Sequence, residues 1–170
     1  VGQLNTRRFV PLGNGLTLKN ILIEPFELRS YYRKVQELNA KFKNIYKNGF
    51  SIFIGCESSI FNDETKGEKY MCGLYDGSLL VVMQNGDILA CRRLPKIIGN
   101  IKQQSLFEVY YNSKFYQQLR DINKSNNFCK KCNNFRGCYG GAKCVTYART
   151  KKLFIPDVDC WKVNKESFKL

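Results

Sequence analysis

Apolar positions between Pro25 and Lys47 recur in steps of three and four: Phe26, Leu28, Tyr31, Tyr32, Val35, Leu38, Phe42, Ile45 and Tyr46. That spacing puts most of them on one face of a helix. Pro25 suits the first turn and Asn48-Gly49 suits the stop. Phe50 to Ile54 then reads as a buried strand, so this unit looks like part of an α/β layer. Upstream, residues 7–12 look extended and end at the turn signal Gly13-Asn14-Gly15. Ser58 to Lys69 is largely polar and without period, which predicts a surface loop. Two short apolar runs, Ser78 to Met83 and Asp87 to Cys91, flank Gln84-Asn85-Gly86. Asn-Gly takes positive φ at low cost, so the pair predicts a β-hairpin. Ser105-Leu106-Phe107-Glu108 has capping-box spacing and opens a helix. A second helix over Ser113 to Asp121 turns Phe115, Tyr116 and Leu119 inward. From Phe128 onward the chain is rich in cysteine and glycine, with little room for long elements. The predicted class is α+β, and no repeat of 20 to 50 residues is visible.

Composition narrows the chemistry. The 170 residues include no histidine, which removes the commonest general base and the commonest zinc ligand. Ser-His and Cys-His catalytic arrangements go with it. Lysine and arginine number 28 against 14 acidic residues, a formal charge of +14. The basic residues are scattered, with short clusters at Lys41-Phe42-Lys43, Lys130-Lys131 and Lys151-Lys152. They read as a solvated surface rather than a nucleic-acid footprint. No run approaches the roughly 18 apolar residues that would span a bilayer. The first residues, Val1 to Arg8, carry neither an initiator methionine nor a signal-peptide core. The expectation is a cytoplasmic chain, without a membrane partner, that is a piece of something longer.

The remaining unusual chemistry is eight cysteines: Cys56, Cys72, Cys91, Cys129, Cys132, Cys138, Cys144 and Cys160. In a reducing compartment clustered cysteines more often bind metal than pair as disulfides. Cys129-Lys130-Lys131-Cys132 brings two thiolates to one metal from a single tight turn, and Cys138 extends it to C-x2-C-x5-C. On spacing alone this suits an all-cysteine zinc site or an iron–sulfur cluster equally. Cys160 is the natural fourth ligand. Cys91 ends the second hairpin strand, and Cys144 follows Gly140-Gly141, where backbone can approach a bulky cofactor. Cys56 is the weakest member and enters on the count of eight.

The order of these motifs resembles the SPASM domain, the C-terminal extension of many radical S-adenosylmethionine enzymes. The resemblance runs over about residues 70–162. It rests on Cys72, then Gly86-x4-Cys91, Cys129-x2-Cys132-x5-Cys138, Cys144 and Cys160. Gly86-Asp87, Ile98-Gly99-Asn100-Ile101 and Cys138-Tyr139-Gly140-Gly141 support it. Residues 8–13 and the helix to Lys47 look like the closing segment of the family's partial (β/α) barrel. The resemblance therefore implies a barrel end fragment over residues 1–55 and a SPASM-like domain with a β-hairpin and short helices over 56–170. It implies two auxiliary [4Fe-4S] clusters. Cys72, Cys91 and Cys144 would hold the first, with Cys56 as candidate fourth ligand. Cys129, Cys132, Cys138 and Cys160 would hold the second. Two departures stand out. The family has three residues between the cysteines matching Cys138 and Cys144, whereas this chain has five and places Ala142 where the ligand is expected. The C-x3-C-x2-C motif that holds the catalytic cluster is absent, so the chain alone is expected to be inactive. S-adenosylmethionine and a third [4Fe-4S] cluster would belong to the missing barrel portion.

The implied function is binding of auxiliary clusters and substrate within a radical enzyme that matures ribosomal peptides or sulfatases. Its expected partners are a peptide or protein substrate and an electron-donor protein. Synthesis of a tetrapyrrole or another cofactor is the alternative within the family. A rival from another class is a basic binding module stabilised by zinc, facing an acidic partner or RNA. Against it, Phe26, Tyr31, Tyr32, Phe42, Tyr46 and Phe115 fall on predicted core faces, and one zinc would leave cysteines without a role. No catalytic residue is assigned. Glu64, Asp76 and Arg93 could meet substrate but read as ordinary surface charges.

Overall fold

A computed structural model describes residues 2–45, 49–65 and 70–164. The first helix, α1 (Pro25–Ile45), forms where its period predicts. Leu28, Tyr32 and Val35 are buried on one stripe, with Leu38 and Phe42 packed beside them. Phe26 and Ile45 fall outside that stripe and stay exposed. Tyr46, Lys47 and Asn48, where the stop was expected, lie outside the described residues.

α1 lies against β2 (Ser51–Ile54), which pairs in parallel with β1 (Gln3–Thr6), from Gln3 opposite Ser51 to Thr6 opposite Ile54. Asn39 ties helix to strand, donating to the Ile52 carbonyl at 2.8 Å and accepting its N–H at 2.6 Å. The paired strand thus falls at residues 3–6, and residues 7–12 form none. Beyond it, Gly55 N–H still bonds Thr6 O at 3.1 Å, and among the described residues no strand continues the pairing past that point.

The expected surface loop after β2 is corrected over its first half. Cys56–Phe61 forms a 3-10 turn in which Glu57 to Phe61 are all buried. Asn134 donates to the carbonyls of Ser59 and Ile60, both at 3.2 Å. Asn62 bonds the backbone of Tyr70 in both directions and the carbonyl of Gly137. Polar side chains brought from far along the chain satisfy this turn, so its polarity did not mean exposure. Residues 66–69 lie outside the described ones.

A short helix, α2 (Gly73–Asp76), leads to the hairpin. β3 (Val81–Val82) and β4 (Asp87–Cys91) pair antiparallel, and Gly86 takes φ +93° in the turn. A third strand, β5 (Leu94–Asn100), adds to β4. Its alternation is weak because Pro95, Lys96 and Ile97 face solvent at the sheet edge. α3 (Leu106–Asn112) carries the predicted capping box, and α4 (Lys114–Arg120) buries Tyr116 and Leu119. α5 (Asn127–Lys130), α6 (Phe135–Cys138) and α7 (Lys143–Thr150) are short, as the cysteine-rich stretch predicted.

The apolar interior forms two clusters. One joins α1 and β2 to Ile60, Phe61, Cys138 and Trp161. The other joins β4, β5, α4 and α7 around Leu74, Leu94, Tyr116 and Val145. Among the described residues, no helix is long and apolar enough to cross a membrane.

Candidate metal centres

All eight cysteines are free thiols. Four of them approach the second apolar cluster from four elements. Cys56 opens the 3-10 turn, Cys72 caps α2, Cys91 ends β4, and Cys144 sits in the first turn of α7. Cys72 and Cys144 are buried within that cluster, and Cys56 and Cys91 pack against it. The Cys56 and Cys72 thiols hydrogen-bond to each other, which lowers the Cys56 pKa and raises that of Cys72. Burial pushes Cys144 up to about 12, with Arg93 opposing and Cys91 reinforcing the shift. Arg93 N–H donates to the Cys91 sulfur at 3.4 Å.

The other four thiols, Cys129, Cys132, Cys138 and Cys160, line one cavity together with Ile60, Phe128 and Phe135. Here the local folding is tight. Cys132 N–H bonds the Cys129 carbonyl at 3.0 Å, and Cys160 N–H bonds that of Asp157 at 3.0 Å. Burial raises Cys129 and Cys160 to about 11 and Cys138 to about 12. Charge on neighbouring thiols of the same set adds to each of these shifts.

Between the two sets lie residues that the sequence did not single out. Asp157 is fully buried and accepts both terminal nitrogens of Arg8 at 2.7 and 2.8 Å. It also accepts the N–H groups of Ala142 and Asp159. Arg8 donates further to Asp159 at 2.6 Å and to the Glu57 carbonyl at 2.9 Å. Buried Glu57 pairs with Arg7 and Arg93, and Arg93 reaches the Arg8 carbonyl. Tyr75 sends its hydroxyl to the carbonyls of Tyr139 and Gly141, and the charges acting on it include Cys72, Cys138 and Cys129. Of the three charges considered for substrate contact, Arg93 belongs to this network and Glu64 pairs with Arg29 and Arg33. Asp76 accepts the Ser78 N–H at the surface. No local pattern could reveal Arg8, Glu57 or Asp157 as partners, because they meet only through the tertiary fold.

The donor chemistry fits iron–sulfur ligation. Four thiols lie in or against each region together with apolar residues, and Gly140 and Gly141 adopt φ +85° and +82° beside the second set. Among the described residues no three Cys, Asp or Glu side chains meet closely enough to hold one metal ion. The second set lines a cavity rather than closing on a point.

Comparison with known proteins gives an independent view. Residues 72–133 match the family model of SPASM, an iron–sulfur cluster-binding domain. The resemblance read from the cysteine order therefore holds over this stretch, which contains Cys72, Cys91, Cys129 and Cys132. No curated protein matches the chain. Among solved structures, Streptococcus suis SuiB bound to S-adenosylmethionine superposes with a TM-score of 0.65 at 18% identity, over 95% of this chain and 39% of SuiB. The anSMEcpe structure with bound AdoMet and the Kp18Cys peptide gives 0.54 at 19% identity, over 88% of this chain and 41% of that one. The chain thus spans roughly two fifths of the length of the structures it matches, and at these identities the likeness is one of fold.

Proposed function

We propose that this chain is the auxiliary-cluster and substrate-binding portion of a radical S-adenosylmethionine enzyme that modifies a peptide or protein. The observation that carries the reading is the division of eight free thiols around two apolar regions, four to each, in a chain matching an iron–sulfur domain. Cys56, Cys72, Cys91 and Cys144 would hold one [4Fe-4S] cluster, and Cys129, Cys132, Cys138 and Cys160 the other. A bound cluster supplies one-electron chemistry or an iron open to a substrate group. The chain's own residues exclude water, hold the thiols and fix the backbone around them. The parallel β1–β2 pair with α1 on the connection suits the end of a (β/α) barrel, with residues 1–55 belonging to it and 56–170 to the cluster domain. S-adenosylmethionine and its own cluster are assigned to barrel residues outside this sequence, and electrons to a donor protein. A peptide substrate agrees with the peptide bound in anSMEcpe.

Anaerobic reconstitution followed by iron and acid-labile sulfide analysis tests the reading, on this chain and on Cys138→Ala. The expected content is about eight iron and eight sulfide per chain, falling to about four of each in the variant. About four in the unaltered chain would reduce the reading to one cluster. Zinc at one or two per chain without sulfide would replace it by a zinc-stabilised binding module.

A further inference from the structure

Lys143 directly precedes Cys144 at the start of α7, yet its ammonium turns inward. The residue is 3% exposed and Nζ has no hydrogen-bond partner among the described residues. Nζ lies 6.0 Å from the centre of the Tyr75 ring and 5.9 Å from that of Phe154. Two ring faces at that range hold a cation in place but do not neutralise it. A methyl group built on Gly140 would stand 3.4 Å from Nζ and 3.7 Å from the Cys129 sulfur. Ammonium and thiol therefore both border the space left by the missing Gly140 side chain. Asp157 is also near, but its oxygens are already engaged by Arg8, Ala142 and Asp159.

A buried cation without a partner is costly unless negative charge stands close by. Four thiolates around a [4Fe-4S] core supply such charge, and one-electron reduction adds one more unit. Ala142, the residue before Lys143, is fastened by its N–H to Asp157 at 2.7 Å. The segment that carries the cation inward is thereby anchored.

We infer that Lys143 is a built-in counter-cation for the cluster of Cys129, Cys132, Cys138 and Cys160, and that it favours the reduced state of that cluster. The inference rests on the cluster assignment proposed above. Lys143 is a positioning residue: it forms no bond to iron, and the electron comes from an external one-electron reductant.

The test uses the full chain, reconstituted anaerobically, with Lys143→Met, Lys143→Gln and Lys143→Arg. Iron and sulfide are measured first. The midpoint potential is then followed by electron paramagnetic resonance with dithionite, on the signal that Cys138→Ala abolishes. The Met and Gln variants should be harder to reduce by a factor of about ten or more in the equilibrium constant, about 59 mV for a one-electron couple. The Arg variant should stay near the unaltered chain. A Met variant with full iron and an unchanged potential overturns the inference and leaves the cluster assignment standing. Met and Gln variants that fail to load while Arg loads support a charge requirement. Failure of all three to load shows that shape rather than charge is needed, and overturns it. No iron in the unaltered chain overturns the cluster assignment itself, and the inference with it.

Discussion

Asp157 shows how much one buried side chain can organise. Burial alone would raise its pKa, but the Arg8 guanidinium and two backbone N–H groups hold it below the usual carboxylate value. A depressed folded-state pKa contributes stability that is present above the unfolded carboxylate value and lost as pH falls through the folded one. Asp157→Asn should therefore destabilise the chain by about 3–5 kcal/mol at neutral pH, because it leaves Arg8 buried against a neutral amide. The same variant should show a shallower loss of stability in acid. Urea unfolding at pH 7 and at about pH 2, below the unfolded carboxylate value, measures both, and equal slopes with pH would refute the role. Gly141 is the neighbour that permits this arrangement: at φ +82° it has no side chain, and a Cβ there would run into Asp157. Gly141→Ala should cost about 1–3 kcal/mol from backbone strain alone. If its urea midpoint matches that of the unaltered chain, the close approach is not required.

At the scale of elements, periodic signals survived folding and single-face signals did not. α1, the hairpin turn at Gly86 and the capping box of α3 were legible because each is set by residues close in sequence. β5 was not, since an edge strand with one wet face carries little alternation. Ser58 to Lys69 reads as a surface loop because it is largely polar and without period, whereas Asn134 bonds to the Ser59 and Ile60 carbonyls make burial of its first residues possible. The eight cysteines were legible as a count and an order, and their division into two sets came only from the resemblance, while Lys143 and the Arg8 network needed the fold. Asn62 tests the element directly, since its side chain makes three bonds to the backbone of two distant segments. Asn62→Ala removes these three bonds to buried backbone, at a cost of about 1–3 kcal/mol. Hydrogen exchange should then rise at Tyr70, whose N–H donates to the Asn62 amide oxygen. Unchanged protection there would show that water replaces the amide at no cost.

Across the whole molecule, each apolar cluster contains cysteines of a different set. Cys138 and Cys160 belong to the cluster with Trp161, and Cys56, Cys72, Cys91 and Cys144 to the other. A cofactor bound only by the folded chain stabilises it by mass action, about 4 kcal/mol at a thousandfold excess over the dissociation constant. For a domain of this size that corresponds to a rise in Tm of about 8–16 °C. Iron loading should therefore raise Tm by that order, and chelation should reverse it. The single tryptophan would distinguish the two proposed sites. Trp161 packs 5.9 Å from the Phe61 ring, in the cluster that holds Cys138, and follows Cys160 directly in the chain. Cys138→Ala should abolish most of the change in Trp161 fluorescence on iron loading, whereas Cys91→Ala should keep it and lose only half the iron. Equal fluorescence responses in the two variants would mean that the sites load as one cooperative unit, against the separate placement of their thiols in the two cores.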